Sequence, residues 1–226
     1  MFAMSRMILP ALALSALGVS ASASSLVAAP SYTYNFSNIT GNSATNAAAG
    51  ESQLKVTVQE LMAGSACFTF TNEGMEPMSI TSIYFEDLDG SVSGEPYFAF
   101  QSLEVDYEKN EGNLNLPGGN QPSVNFEEAF GVEPTSKGGF AKNGVGVGEV
   151  LTVCYDLTTD FDAVIAALDN GSRIGIHVQA FGDGGSEAFV TTPPTTQSVP
   201  TPSAALAGIG LMGLLAGRRR RQQEAE

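Results

Sequence analysis

The chain has no tryptophan, only two cysteines and a single histidine among its 226 residues. Two Cys and one His are too few for a structural zinc site of the usual nitrogen and sulfur ligands. Cations are scarce as well, with 10 Lys and Arg against 24 Asp and Glu. Five of those cations, Arg6 and Arg218 to Arg221, lie near the two ends. The middle is left with five cations against 22 carboxylates, a balance of −17. A body this acidic repels phosphate backbones, which excludes nucleic-acid binding. There is no Gly-x-Ser-x-Gly elbow, no phosphate-cradling Walker loop and no His-Glu-x-x-His helix. Hydrophobic residues make up 43 % and charged residues 15 %, enough to build a core and too little charge for a solvated, disordered chain. Glycine is abundant at 25 residues, with 11 prolines, which points to many turns.

The ends read as addresses. Arg6 precedes an apolar run from Met7 to Val19, and Ala21-Ser22-Ala23 follows as a small-x-small site. This is the order of a secretory signal peptide over residues 1–23, cut between Ala23 and Ser24. A cut after Ala29 would leave Pro30 next to the scissile bond. At the other end, residues 193–198 form a linker and 199–226 a second tripartite segment. It comprises Val199-Pro200-Thr201-Pro202, an apolar stretch from Ser203 to Gly217, and Arg218, Arg219, Arg220 and Arg221. Fifteen helical residues span roughly 22 Å, short of a bilayer core of about 30 Å, but snorkelling arginines extend the reach. The basic cluster predicts that this end stays cytoplasmic while the body lies outside.

Between the ends, residues 30–192 make one domain of ordinary size. Leu54 to Val58, Cys67 to Thr71 and Val150 to Leu157 alternate with period two. Ser79 to Phe85, Tyr97 to Val105, Arg173 to Phe181 and Ala188 to Thr192 are further strands. Many short strands separated by turn residues predict an all-β fold, an antiparallel two-sheet sandwich of jelly-roll type. One short helix interrupts it. Thr159 or Asp160 caps it, Phe161, Val164, Ile165 and Leu168 give the spacing, and Asn170-Gly171 ends it. Asn110 to Pro122 reads as a long surface loop.

The candidate site residues are few. Phe68 and Phe70 should face the core, so Cys67 faces away with Thr69; the same parity turns Cys154 outward with Thr152. If those strands are neighbours the two cysteines form a disulfide; otherwise they are two separate half-buried thiols. His177 falls on the polar side of its strand with Gln179, and a lone histidine builds no zinc centre. Asp87 and Asp89, followed by Gly90, space oxygen donors as calcium loops do, and Asp183 and Glu187 flank a second acidic turn. The same residues are also ordinary turn formers. No cofactor is expected; calcium is the cation these turns would take.

The tail resembles the PEP-CTERM sorting signal of bacterial surface proteins, in a Val-Pro-x-Pro variant with Thr201 where the namesake motif has Glu. The body resembles a group of the same proteins through Arg173 to Val190, Phe68 to Asn72, Ile80 to Phe85 and Leu116-Pro-Gly-Gly-Asn120. The resemblance implies an exported protein of the cell surface or exopolysaccharide matrix. Its C-terminal helix, residues 203–217, would hold it in the membrane until an exosortase-type enzyme processes it. The family supplies no catalytic residue, so the expected function is non-enzymatic. The alternatives are a secreted polysaccharide-active enzyme and a carbohydrate-binding module, the latter limited to Tyr and Phe platforms.

Overall fold

The computed structural model describes residues 30–192, except 113, 137 and 138. The predicted signal peptide with Ala23 and Ser24, the linker and the sorting segment with its helix lie outside the described residues. Among those described, no helix is long and apolar enough to cross a membrane.

The described chain is all-β with few helices. Its strands are β1 (Ser31–Asn38), β2 (Leu54–Gln59), β3 (Ser65–Asn72), β4 (Ser79–Phe85) and β5 (Val92–Gln101). Then come β6 (Tyr107–Lys109), β7 (Phe130–Pro134), β8 (Val150–Leu157), β9 (Ile174–Gln179) and β10 (Ser186–Thr191). They form one antiparallel sheet in the order β5-β8-β3-β2-β1-β10-β9-β4-β7-β6. This corrects the expected pair of separate sheets. The reason is β1, which begins the domain. Its first part, Ser31 to Asn35, pairs with β2, and its last part, Phe36 to Asn38, pairs with β10. One strand thus carries the ladder from a first half (β5, β8, β3, β2) into a second half (β10, β9, β4, β7, β6).

The sheet curls until its edges β5 and β6 meet, and it is nearly a barrel. Side chains hold this seam: Lys109 Nζ lies 2.6 Å from Glu95 Oε1, and Tyr107 N–H donates to Gln101 Oε1 at 2.7 Å. The fifth strand begins at Val92 and ends at Gln101, shifted toward the N-terminus from the expected Tyr97 to Val105. Pro96 lies within it, where an edge strand tolerates the missing donor.

Alternation fills the barrel. Val56, Val58, Phe68, Phe70, Leu151, Val153, Ile174, Ile176 and Val178 point inward and are fully buried. Phe85 and Phe130 stack at 5.0 Å, and Phe68 and Tyr155 meet Phe85 edge-on at 5.0 and 5.3 Å. Such tilted and stacked pairs add about 0.5–1.5 kcal/mol each beyond burial.

There is more helix than the single one expected. Helix α1 (Ala44–Gln53) is capped by Ser43, whose side chain accepts from Asn46 N–H. It is rich in Ala and its hydrophobic stripe is faint, so periodicity does not announce it. The short helix α2 spans Phe140–Asn143. Helix α3 (Phe161–Asn170) has Asp160 as its cap, accepting from Ala163 N–H, and buries Phe161, Val164, Ile165 and Leu168. Gly171 ends it at φ 123°, in the region that favours glycine.

Candidate functional site

Cys67 and Cys154 stand directly opposite each other on β3 and β8 and are joined in a disulfide, with Cα atoms 4.1 Å apart. The separation is just under the usual range for a disulfide and near the short spacing of facing antiparallel residues. The parity that turns Phe68 and Val153 inward turns both sulfurs to the outer face. They are nonetheless fully buried there, between Gln59 and Tyr97, their neighbours in register.

The acidic turns behave differently from each other. Asp87 and Asp89 are exposed, flanking Leu88, which is fully buried. Leu88 and Asp89 both adopt left-handed backbone, φ 49° and 54°. The turn's shape drops Leu88 into the core and leaves the carboxylates in solvent. Asp183 is also exposed, whereas Glu187 is 1 % exposed. Glu187 Oε1 accepts from Ser43 N–H at 2.6 Å; Oε2 accepts from Asn38 Nδ2 at 3.0 Å, Asn42 N–H at 3.2 Å and the Thr40 hydroxyl. Burial alone would raise its carboxyl above the usual value, but the donors of Thr40, Asn38, Ser43 and Asn42 outweigh that and hold it below. Glu187 therefore ties β10 to the loop before α1. Among the described residues, no group of three or more His, Cys, Asp or Glu side chains is gathered as a metal site.

His177 is half-buried on the outer face, opposite Ser82 and Ala188, and burial lowers its pKa.

Sequence reasoning did not single out the Glu86–Arg173 pair. Arg173 Nη2 lies 2.6 Å from Glu86 Oε1 and Nε lies 3.1 Å from Oε2, a two-pronged contact. The remaining guanidinium donors reach Val124 O at 2.7 Å and Asn125 O at 2.8 Å, and the group lies over the Phe126 ring. The clamp fastens residues 114–129 onto the second half. There Leu116 and Phe126 pack with Tyr84, Ala188 and Val190 in a small second core. The expected surface loop is thus a cover. The one arginine of an acidic body, at the start of a strand, is the signal that could have found it.

Among the described residues there are open grooves as well. One, about 490 Å³, is lined by Met75, Ser79, Glu104, Lys142, Val147 and Glu149 among others. Glu149 Oε2 is already engaged, accepting Gly146 N–H at 2.7 Å. Another, about 360 Å³, lies at the β5–β6 seam beside Gly94, Lys109 and Phe130.

No family model matches the chain, and no curated protein or solved structure matches it.

Proposed function

We propose that the protein is a non-enzymatic exported protein of the cell surface or exopolysaccharide matrix, routed by its two terminal segments. The observation that carries the reading is the Cys67–Cys154 disulfide in a chain whose N-terminus has the layout of a secretory signal. Stable disulfides belong to oxidising compartments, so the bridge and the signal support the same address. The Val199-Pro200-Thr201-Pro202 motif, the apolar run 203–217 and Arg218 to Arg221 support a transient membrane hold and release by an exosortase-type enzyme. The −17 balance of the body suits a solvated matrix protein.

The test is expression of a tagged chain in a bacterium that carries such a processing enzyme, followed by fractionation and thiol alkylation. The expected result is an envelope-associated product lacking residues 1–23, with both cysteines protected from alkylation. Deleting residues 199–226 should send a folded, disulfide-bonded body into the medium. An uncleaved cytoplasmic product with two alkylated thiols overturns the reading.

A further inference from the structure

Among the described residues, Leu61 and Met62 are the only consecutive pair of exposed large apolar side chains, at 50 % and 54 %. They lead a run of four exposed, uncharged residues, Leu61-Met62-Ala63-Gly64, at the turn between β2 and β3. Such a run is a liability on a solvated surface unless a contact uses it. The turn is not slack. Gly64 N–H donates to Glu60 Oε1 at 2.9 Å, the Ser65 hydroxyl donates to Met62 O at 2.8 Å, and Leu157 N–H donates to Gly64 O at 2.9 Å. The first of these bonds also folds the half-buried Glu60 carboxylate back onto the turn, away from the tip. A turn fixed in this way loses little further freedom when it makes a contact. At the opposite end of the barrel Met75 and Leu103 are more exposed, at 92 % and 102 %, but each stands singly beside a carboxylate, Glu76 and Glu104.

The direction of the first and last strands says what this turn meets. Ser31, the first residue of β1, faces Gln59, so the domain begins at the end of the barrel that carries the turn. Strand β10 is antiparallel to β1 and is directed at that same end as it reaches Thr192, whose N–H donates to Asn35 O at 3.0 Å. From the level of Asn35 to Leu61 is about six residues of strand, roughly 20 Å. Ten residues, 193–202, separate Thr192 from the apolar run 203–217. Ten residues reach no further than about 35 Å. A membrane that holds 203–217 is therefore within reach of the turn and never far from it. Tethering raises the effective concentration of the turn at the lipid surface, so two apolar side chains too few to bind a free body suffice for a held one.

We infer that, while the C-terminal run holds the chain in the membrane, Leu61 and Met62 enter the lipid surface and stand the barrel with this end toward the bilayer. The inference rests on the sorting reading above and adds to it a second membrane contact and an orientation. The chain has no tryptophan, so Ala63→Trp in the turn and Met75→Trp at the opposite end each place a single reporter at an exposed position. The tail-bearing chain is purified from membranes of a bacterium that exports it but lacks an exosortase-type enzyme. It is then reconstituted into phosphatidylcholine vesicles with and without bromine on the acyl chains. Emission from Ala63→Trp should fall about twofold on the brominated lipid, as for a group seated at the acyl boundary, and that from Met75→Trp should not change. Adding Leu61→Glu/Met62→Glu to Ala63→Trp should abolish the quenching, with melting curves unchanged because both positions are exposed. Absent quenching at Ala63→Trp, equal quenching at both reporters, or quenching that survives the two glutamates overturns the inference. So does emission shifted to the blue without quenching, which would mean that a second copy covers the turn. A chain that does not float with the vesicles sinks the sorting reading and this inference with it. One that floats with Ala63→Trp unquenched sinks only this inference.

Discussion

On the outer face of the first half, Thr33 is exposed and Thr57 and Thr69 are half-buried, with no loop segment seated on them. On that of the second, Gly175 and Tyr84 lie beneath Leu116 and Phe126. Both faces belong to one sheet around one core, and the difference lies in what the outward positions carry. In the second half the facing residues run Val190, Gly175, Tyr84, Gly131. A Cβ on Gly175 would come within 2.6 Å of Leu116 Cδ2, and one on Gly131 within 3.2 Å of Leu114 Cδ2. The missing side chains make the seat for residues 114–129. In the first half, β-branched hydroxyl side chains fill the same kind of position, suit a pleated surface and need no cover. Each half also has its own fastening, a disulfide in the first and the Glu86–Arg173 clamp in the second.

The comparison can be broken at its fastenings. Cys67→Ala/Cys154→Ala frees a crosslink between residues 87 apart, and the chain-entropy account gives a loss of about 4–5 kcal/mol. Urea denaturation of the variant and of the wild type should show it, and the wild type with reductant should match the variant. An unchanged midpoint would mean that the first half does not depend on its staple. Arg173→Ala leaves Glu86 without its partner and two loop carbonyls without donors. A loss of about 2–3 kcal/mol is expected, below that of a fully buried pair because both groups keep some exposure. Limited proteolysis should then cut within residues 114–129 before the first half is touched; simultaneous cutting of both halves would refute the separate-cover picture.

Glu187 lies on β10, at the join of the halves. Its folded pKa is lowered, so its contribution is fully present above the unfolded carboxylate value near 4.5. The contribution is lost as pH falls through the lowered folded value. Wild type should therefore lose stability in that acid window more steeply than Glu187→Gln, which should be about 2 kcal/mol less stable at neutral pH. Parallel pH–stability curves for the two proteins would remove Glu187 from the account. The smallest effect is expected at Thr57→Val, under about 1 kcal/mol, because valine fits a strand position with no loop seated on it and forfeits only one exposed hydroxyl pair. A thermal melt measures it; a larger loss would show that this face is structurally coupled to the core.

The first half was the more legible in sequence because its core-facing and outward positions carry different residue types. Leu54 to Val58, Cys67 to Thr71 and Val150 to Leu157 alternate large apolar residues with small or polar ones, and alternation also fixes which way Cys67 and Cys154 point, although the cysteines and Thr152 are buried on the outer face as well. In the second half β4 is buried on both faces, and in Ser79 to Phe85 the hydroxyl residues Ser79, Thr81 and Ser82 fall without a strict period, with an irregular register between Ile80 and Ser82, so its two sides cannot be told apart. Strand β1 alternates Tyr32, Tyr34 and Phe36 with polar residues, yet it is not among the strands expected from the sequence. Strands β6 and β7 are three and five residues long, too short for a pattern to emerge. Among the site residues, Asp87, Asp89 and Asp183 were legible as turn residues. The cradle of Glu187 was not, because its donors lie some 145 residues away in the chain.

By itself the sequence determined most of the strands though not β1, β6 or β7, the inward and outward parity of the alternating segments, the capped helix at Phe161–Asn170 and the acidic, cation-poor composition of the body. These follow from neighbours a few residues apart, where backbone geometry alone sets which side chains share a face. The tertiary structure decided which strands pair. It made β1 the link that turns two sheets into one nearly closed barrel, set Cys67 against Cys154, and brought Arg173 to Glu86. Register between segments far apart in the chain depends on packing the whole core at once, and no local pattern contains it.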